Sequence, residues 1–250
     1  MLDFLLFLLI GIAGAGVVNY LADVLPIHRK FTVLRCAECQ SELGWTGYLL
    51  YARCGNCGKL PSSRHLVVLL AVPILSLLMG YFPAKVLGPM GTILWLIYFG
   101  LIVVIDLEHR LILHPVSLVG ALLGLVFGMR AHGIINTLLG GAAGFGIMLI
   151  FYYLGEAFVN FISRRRGEQI DEVALGFGDV NLAGIMGLLL GWPGVIGGIF
   201  LAVILGGIVS GLVLVYQLIR KDYQAFQALP YGPFLAISVL LLFYFSQIVR

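Results

Sequence analysis

The sequence Leu-Gly-Phe-Gly-Asp-Val-Asn-Leu-Ala-Gly-Ile-Met-Gly-Leu-Leu-Leu-Gly-Trp-Pro at residues 175–193 is apolar almost throughout, yet it contains one carboxylate, Asp179. As a helix, residues 180–192 would be about 20 Å long, which is too short to cross a hydrocarbon core of about 30 Å. Adding residues 175–179 brings the length to about 27 Å. A membrane helix here therefore places Asp179 inside the membrane boundary, and Pro193 ends that helix and starts the next one.

The composition of the whole chain supports a membrane protein. Hydrophobic residues make up 61% of the 250 residues and charged residues 11%, whereas soluble domains have about 45–50% and about 25%. These values exclude a water-soluble fold and a disordered chain. The formal net charge of +3 is too small to indicate a nucleic-acid partner, and the predicted partner surface is the lipid bilayer.

Eight apolar runs are long enough, or nearly so, to be transmembrane helices. The predicted fold is therefore an all-α polytopic membrane protein with about eight spans, at residues 4–24, 66–83, 86–106, 112–130, 133–156, 176–192, 194–219 and 230–249. The first run lacks a basic segment before it, so we interpret it as a retained span rather than a cleaved signal.

Positive charges predict the orientation, because cytoplasmic loops are enriched in Lys and Arg. With the N-terminus outside, the loops at 25–65, 107–111, 157–175 and 220–229 and their edges contain 12 of the 15 Lys and Arg residues. The predicted location is a bacterial cytoplasmic membrane, with these loops on the cytoplasmic side.

Small and polar residues inside the spans predict how the helices pack. Glycines recur at four-residue spacing, which lets helix backbones approach closely in lipid; they are Gly120, Gly124, Gly128, Gly140, Gly144, Gly187, Gly191, Gly207 and Gly211. Asn19, in the middle of the first span, predicts a hydrogen bond between helices.

All four cysteines lie in one polar segment between the first two spans. Cys36 and Cys39 form one C-x2-C pair, and Cys54 and Cys57 form a second pair 14 residues later. This spacing favours a four-cysteine zinc site of the structural kind, in which no ligand position is left for a substrate. Two disulfides, or a redox-active C-x-x-C, are the competing interpretations, but cytoplasmic thiols usually stay reduced.

Two carboxylates lie at the membrane boundary of apolar runs. Asp106 ends one run, Asp179 begins another, and the predicted orientation places both at the cytoplasmic ends of their spans. A charge within a membrane helix is costly and usually functional. Two adjacent carboxyls share a proton, so one can activate water while the other polarises a peptide carbonyl. Gly176 and Gly178 would allow an extended substrate backbone to come close.

Other interpretations of the two aspartates remain open at this stage. Asp106 could be an interfacial residue paired with Arg110, and Asp179 could cap the helix that it begins. As a functional alternative, the pair could serve as a proton relay in a transporter. A scaffold built around the cysteine segment is a third possibility.

Several motifs together resemble the type IV prepilin peptidases, which are membrane-embedded aspartic proteases of the GxGD class. The residues 176–179 match GxGD, and the residues 105–112 are similar to the segment of the family's first aspartate. The cysteine segment occupies the position that it has in most bacterial members. The residues 14–19 and 229–234 are similar to the family's Gly/Asn segment and to the start of its last span.

The resemblance implies an activity, a substrate and a division of the chain. The implied activity is cleavage of the short basic leader from prepilins or pseudopilins at the cytoplasmic membrane face, with Asp106 and Asp179 as catalytic residues. The implied parts are a first transmembrane helix at 1–26, a cytoplasmic zinc ribbon at 27–65 and a peptidase core at 66–250.

The resemblance also implies that S-adenosylmethionine could serve as a cofactor, because many bacterial members methylate the new N-terminus. Three positions depart from the family's usual residues. Leu69 stands in place of Glu, His114 follows Ile112-Leu113 where the family has a proline step, and Asn181 stands in place of Lys. Methylation is therefore an open expectation, whereas the two aspartates match the family pattern.

Overall fold

The structure is a computed structural model that describes residues 2–36, 38–166, 175–220 and 230–248. Its helices are α1 (Leu2–His28), α2 (Trp45–Leu49), α3 (Ser63–Tyr81), α4 (Gly88–His109), α5 (His114–Arg166), α6 (Phe177–Leu190), α7 (Gly194–Arg220) and α8 (Gly232–Ile248). Strands are absent from these residues, apart from an isolated bridge between Arg35 and Glu42. The all-α fold class is confirmed.

Each of the eight predicted spans corresponds to a helix or to part of one. Five helices, α1, α3, α4, α5 and α7, are long and apolar enough to cross a membrane, and α6 and α8 are shorter apolar helices. The fourth and fifth predicted spans are the two arms of α5, which is interrupted at Gly133 by a non-helical backbone (φ 78°, ψ 164°). The predicted loop at 157–175 is wrong in its first part, because α5 continues as a helix to Arg166. Residues 167–174 and 221–229, which include the rest of this loop and nearly all of the predicted loop at 220–229, lie outside the described residues.

The chain divides into two compact units, one that ends at Ile105 and one that begins at Asp106. The boundaries predicted at 26/27 and 65/66 are finer than this division and stay predictions. Asp106 and Asp179 both belong to the second unit, whereas all four cysteines belong to the first.

In the first unit, a polar cluster joins the cysteine segment to α1 and α3. Arg64 donates to the side chains of Asn19 and Asp23, and the hydroxyl of Tyr48 donates to Asp23. Asn19 Nδ2 donates to the carbonyl of His65 (3.1 Å), and His65 Nε2 lies 2.8 Å from the carbonyl of Tyr48. The predicted interhelical bond of Asn19 is therefore confirmed.

In the second unit, α6 packs closely against both arms of α5, and glycines make this possible. A Cβ atom at Gly187 would lie 2.1 Å from the carbonyl oxygen of Gly140, and one at Gly144 would lie 2.3 Å from that of Ala183. In contrast, Gly207 and Gly211 face open space. The predicted packing role thus holds where α5 meets α6, but not at Gly207 and Gly211 of α7.

We expect Gly187→Ala to destabilise the second unit. The new methyl group meets backbone atoms of Gly140 that cannot rotate away, and overpacking of this kind costs about 1–3 kcal/mol. Thermal unfolding in detergent measures the loss. Gly146→Ala on α5 is the matched control, because a Cβ there meets no atom within 4 Å. Equal melting temperatures for the two variants would contradict the close α5–α6 contact.

Candidate active site

Asp106 lies near the C-terminal end of α4 and is 5% exposed. Its Oδ2 accepts a hydrogen bond of 2.9 Å from the backbone N–H of Gly232, the first residue of α8. The N-terminus of a helix has unpaired N–H groups and a partial positive charge, so it favours a carboxylate. The side chains of Asp106 and Arg110 form no ion pair in the described structure, which leaves the Gly232 N–H as the bonded partner of this carboxylate.

Asp179 lies in the first turn of α6 and is 8% exposed. Its Oδ2 accepts a hydrogen bond of 3.2 Å from the N–H of Gly176, the residue that caps α6. Its Oδ1 is buried and has no hydrogen-bond partner among the described residues. The N-cap of α6 is therefore Gly176 and not Asp179, as one interpretation of the sequence held. Asp179 is the third residue of the helix, binds the N–H of the N-cap, and retains one buried oxygen without a partner among the described residues.

The two aspartates are close enough for the charge of Asp106 to act on Asp179. This arrangement is supported by a close contact between the segment that follows Asp106 and the residue that precedes Asp179. A Cβ atom at Gly178 would lie 2.7 Å from Cβ of Ile112, six residues after Asp106. The absence of a side chain at Gly178 therefore lets the end of α4 approach the start of α6.

Gly178→Ala tests this contact. We expect a fall of about 10²-fold in catalytic rate, because misplacing a catalytic group by about 1 Å has a cost of that order. The measurement is the rate, per folded molecule, of the leader cleavage that the sequence resemblance implies. Gly146→Ala again serves as the control, and equal rates for the two variants would show that the Ile112 contact does not position the carboxylates.

The predicted role of Gly176 and Gly178 in substrate approach stays a prediction. In the structure the amide of Gly176 binds Asp179, and the missing side chain of Gly178 accommodates Ile112. Both glycines thus have a function within the chain itself.

The arrangement has the features of an acid–base site. Two buried carboxylates in electrostatic contact share a proton, since both cannot be ionised at little cost. Each carboxylate is oriented by one backbone N–H, and each N–H belongs to the start of a different helix. Such a pair can take a proton from water and give one to a peptide carbonyl.

A cavity of about 770 Å³ lies on another face of α6, between the two arms of α5. Asn181, His114 and Ser117 supply polar atoms to a lining that is otherwise mostly apolar. Asn181 is two residues after Asp179, which on a helix places the two side chains on different faces. The cavity is thus separate from the carboxylate pair.

The residues that sequence reasoning left out of the site are Tyr231 and Gly232. The run Pro-Tyr-Gly-Pro at 230–233 was recognisable as the start of a span. Its contact with Asp106, 126 positions earlier in the chain, had no signal in the sequence.

Candidate metal centre

The four cysteines meet in the first unit as predicted. Their sulfur atoms all lie within 4.8 Å of one another, and the distances Cys36–Cys57 and Cys39–Cys54 are both 3.6 Å. Zinc–sulfur bonds of about 2.3 Å in a tetrahedron would separate the sulfurs by about 3.8 Å. All four thiols are free, so the donor set and its spacing fit zinc.

The two C-x2-C turns have the same backbone pattern. The N–H of Gln40 donates to the carbonyl of Cys36 (3.0 Å), and the N–H of Gly58 donates to that of Cys54 (2.8 Å). Gln40 and Gly58 both have positive φ, 56° and 70°. The repeated turn brings both sulfurs of each pair to the same point.

Ser41 adds a favourable environment for thiolates. Its Oγ lies 3.0 Å from Sγ of Cys39 and 3.3 Å from Sγ of Cys54. Hydrogen bonds from Ser41 lower the pKa of both thiols, that of Cys54 to about 6. Thiolates are the form that binds metal.

Family and relatives

Residues 90–211 match the type IV leader peptidase family. Over this region, just under half of its length, the chain is similar to that family. The matched region contains both aspartates and α6, whereas the cysteine segment lies before it. This match agrees with the resemblance that the GxGD motif and the segment of Asp106 carry.

Several curated relatives support the same family. A prepilin leader peptidase/N-methyltransferase of Aeromonas hydrophila is 26% identical over 193 residues, which are 76% of this chain and 61% of that protein. Proteins of the same name from Klebsiella pneumoniae (25% over 199 residues, 73% and 82%) and Myxococcus xanthus (26% over 226 residues, 82% and 61%) also match. The chain thus spans less than two thirds of the length of the Aeromonas hydrophila protein. No solved structure matches.

Proposed function

We propose that this protein is a membrane-embedded aspartic endopeptidase that cleaves the leader from type IV prepilins or pseudopilins. The observation that carries the proposal is that Asp106 and Asp179 are both buried and lie within electrostatic reach of each other, inside the region that matches the leader peptidase family. The names of the relatives supply the class of substrate.

In the proposed reaction, the two carboxyls hold one proton between them. The ionised carboxylate takes a proton from a water molecule as the water oxygen attacks the peptide carbonyl, and the protonated carboxyl gives its proton to the carbonyl oxygen. The C–N bond then breaks as the leaving nitrogen takes the proton from the first carboxyl, while the second carboxylate takes back a proton from the diol oxygen. The pair again holds one proton. The N–H groups of Gly232 and Gly176 keep the carboxylates in place throughout.

The proposed location of cleavage is the cytoplasmic side of the bacterial inner membrane. The loops that lead out of α4 and into α6 belong to the set with 12 of the 15 positive residues, and positive loops stay in the cytoplasm. This orientation places the N-terminus outside and the cysteine ribbon inside.

The proposal also includes a structural metal site and a second candidate activity. The ribbon binds a structural zinc through Cys36, Cys39, Cys54 and Cys57, and the metal stabilises a segment that is too small to bury much core. N-methylation of the new N-terminus with S-adenosylmethionine is a second candidate function, which the names of the relatives favour.

Cleavage in proteoliposomes tests the proposal against the transporter alternative. The substrate is a precursor with a basic leader that ends in glycine, followed by an apolar helix, and a pH-sensitive dye inside the vesicles reports proton movement. We expect the leader to be released and the internal pH to stay constant. A gain of one methyl group on the product when S-adenosylmethionine is present would establish methylation.

The control substrate carries a bulky residue in place of the leader glycine and should remain intact. Proton uptake that Asp106→Asn abolishes, together with intact precursor, would contradict the peptidase and favour the relay.

A further inference from the structure

The start of α8 is part of the carboxylate site, although nothing in the sequence assigns it there. We propose that Gly232 and Tyr231 belong to the catalytic machinery, with the Gly232 amide fixing Asp106 and the Tyr231 hydroxyl donating a hydrogen bond to the oxygen of the peptide bond under attack. This inference rests on the proposed peptidase function and names further residues of the same site.

Gly232 is suited to its role by its missing side chain and by its neighbour. A Cβ atom there would lie 2.6 Å from Oδ2 of Asp106 and 3.2 Å from its Cγ. The next residue, Pro233, has no N–H, and the N–H groups of Phe234 and Leu235 donate to the carbonyl of Tyr231. Within this turn, the N–H of Gly232 is therefore the group that donates to the carboxylate of Asp106.

Tyr231 directly precedes Gly232, so it lies in the turn whose backbone N–H binds Asp106. The charge of Asp179 acts on its phenol, so the two groups lie within electrostatic reach of each other. The phenol forms no hydrogen bond with another described residue, and Oδ1 of Asp179 also lacks a partner. Among the described residues, this donor and this acceptor are therefore both available to a water molecule or a substrate carbonyl.

The ring of Tyr231 is held in position by apolar contacts. It packs edge-on against Phe234 at a centroid distance of 6.1 Å, and its Cε2 lies 3.3 Å from the position that a Cβ at Gly206 would have. These contacts involve the ring and leave the hydroxyl free to act. A fixed donor costs little reorganisation in the transition state.

The chemical role of the hydroxyl differs from that of the carboxyls. As water attacks, the carbonyl oxygen gains negative charge until the protonated carboxyl has transferred its proton. The phenol stabilises that oxygen by hydrogen bonding and keeps its own proton, so the balance of atoms in the hydrolysis is unchanged. Loss of such a donor lowers the rate more than the binding of substrate.

Tyr231→Phe tests the hydroxyl alone, because the ring and its contacts with Phe234 and Gly206 remain. We expect kcat for precursor cleavage to fall by about 10²-fold, with KM within about twofold of that of the wild type. Tyr244→Phe, within α8, is the matched control and should keep both constants. Unchanged kcat in Tyr231→Phe would overturn the role of the hydroxyl.

Gly232→Ala tests the amide contact against Gly207→Ala on α7, where a Cβ meets no atom within 4 Å. We expect Gly232→Ala to have a lower kcat than Gly207→Ala, and the two variants to have equal melting temperatures. If Gly232→Ala does not fold, the kcat of Tyr231→Phe still decides the inference. If the wild-type protein leaves the precursor intact, both the proposed function and this inference are overturned. If the wild type and Tyr231→Phe are equally active, only this inference is overturned.

Discussion

Asp106→Asn and Asp179→Asn each lower kcat/KM for precursor cleavage by about 10³-fold or more. Asparagine has nearly the same shape as aspartate and still accepts a hydrogen bond, so the contacts with Gly232 and Gly176 can persist. It cannot take up or release the shared proton, and removing acid–base catalysis costs about 10²–10⁴-fold. Initial rates with purified protein in detergent measure the effect.

Glu156→Gln is the matched control for these variants, because it makes the same chemical change at an exposed position of α5. It should cleave at the wild-type rate. Substantial cleavage by either aspartate variant, at a melting temperature equal to that of the control, would show that the pair does not carry the chemistry.

Cys39→Ser and Cys54→Ser each remove one proposed zinc ligand. We expect both variants to lose the metal and to have a less stable first unit. We expect the zinc content of the purified protein to fall from about one ion per chain to nearly none, since structural zinc sites contribute about 10–16 kcal/mol of binding free energy. Without the metal, the small apolar cluster formed by Val24, Leu34 and Tyr48 should become accessible to proteases. Metal analysis and limited proteolysis measure these two changes.

Glu38→Gln, within the first C-x2-C pair, is the control for the cysteine variants. Glu38 pairs with Lys59 at the surface, and exposed pairs of this kind contribute about 0–1 kcal/mol. The control should therefore keep its zinc and its resistance to proteolysis. A cysteine variant that also kept both would contradict the structural zinc site.

The site residues that could be predicted from the sequence are those whose side chains are unusual for the segment in which they lie. A carboxylate in an apolar run, such as Asp179, and four cysteines in a polar loop are conspicuous without any structure. Their local surroundings were also predictable, because the length of the α6 run placed Asp179 in its first turn, where the structure has it.

What could not be predicted depends on contacts between distant parts of the chain. The four-residue spacing is the same at Gly187 and at Gly207, yet the first packs against α5 and the second faces open space. The bond between Gly232 and Asp106 joins residues 126 positions apart. Helical periodicity describes one helix at a time, so neither result follows from it.

The most direct test of the two-carboxylate peptidase is to identify the products by mass spectrometry. Purified wild-type protein is incubated with a prepilin precursor beside Asp179→Asn, and both mixtures are analysed intact. We predict that the wild type yields two fragments that meet directly after the leader glycine and that the variant leaves the precursor whole. An uncut precursor with the wild type, or the same two fragments with the variant, would contradict the account.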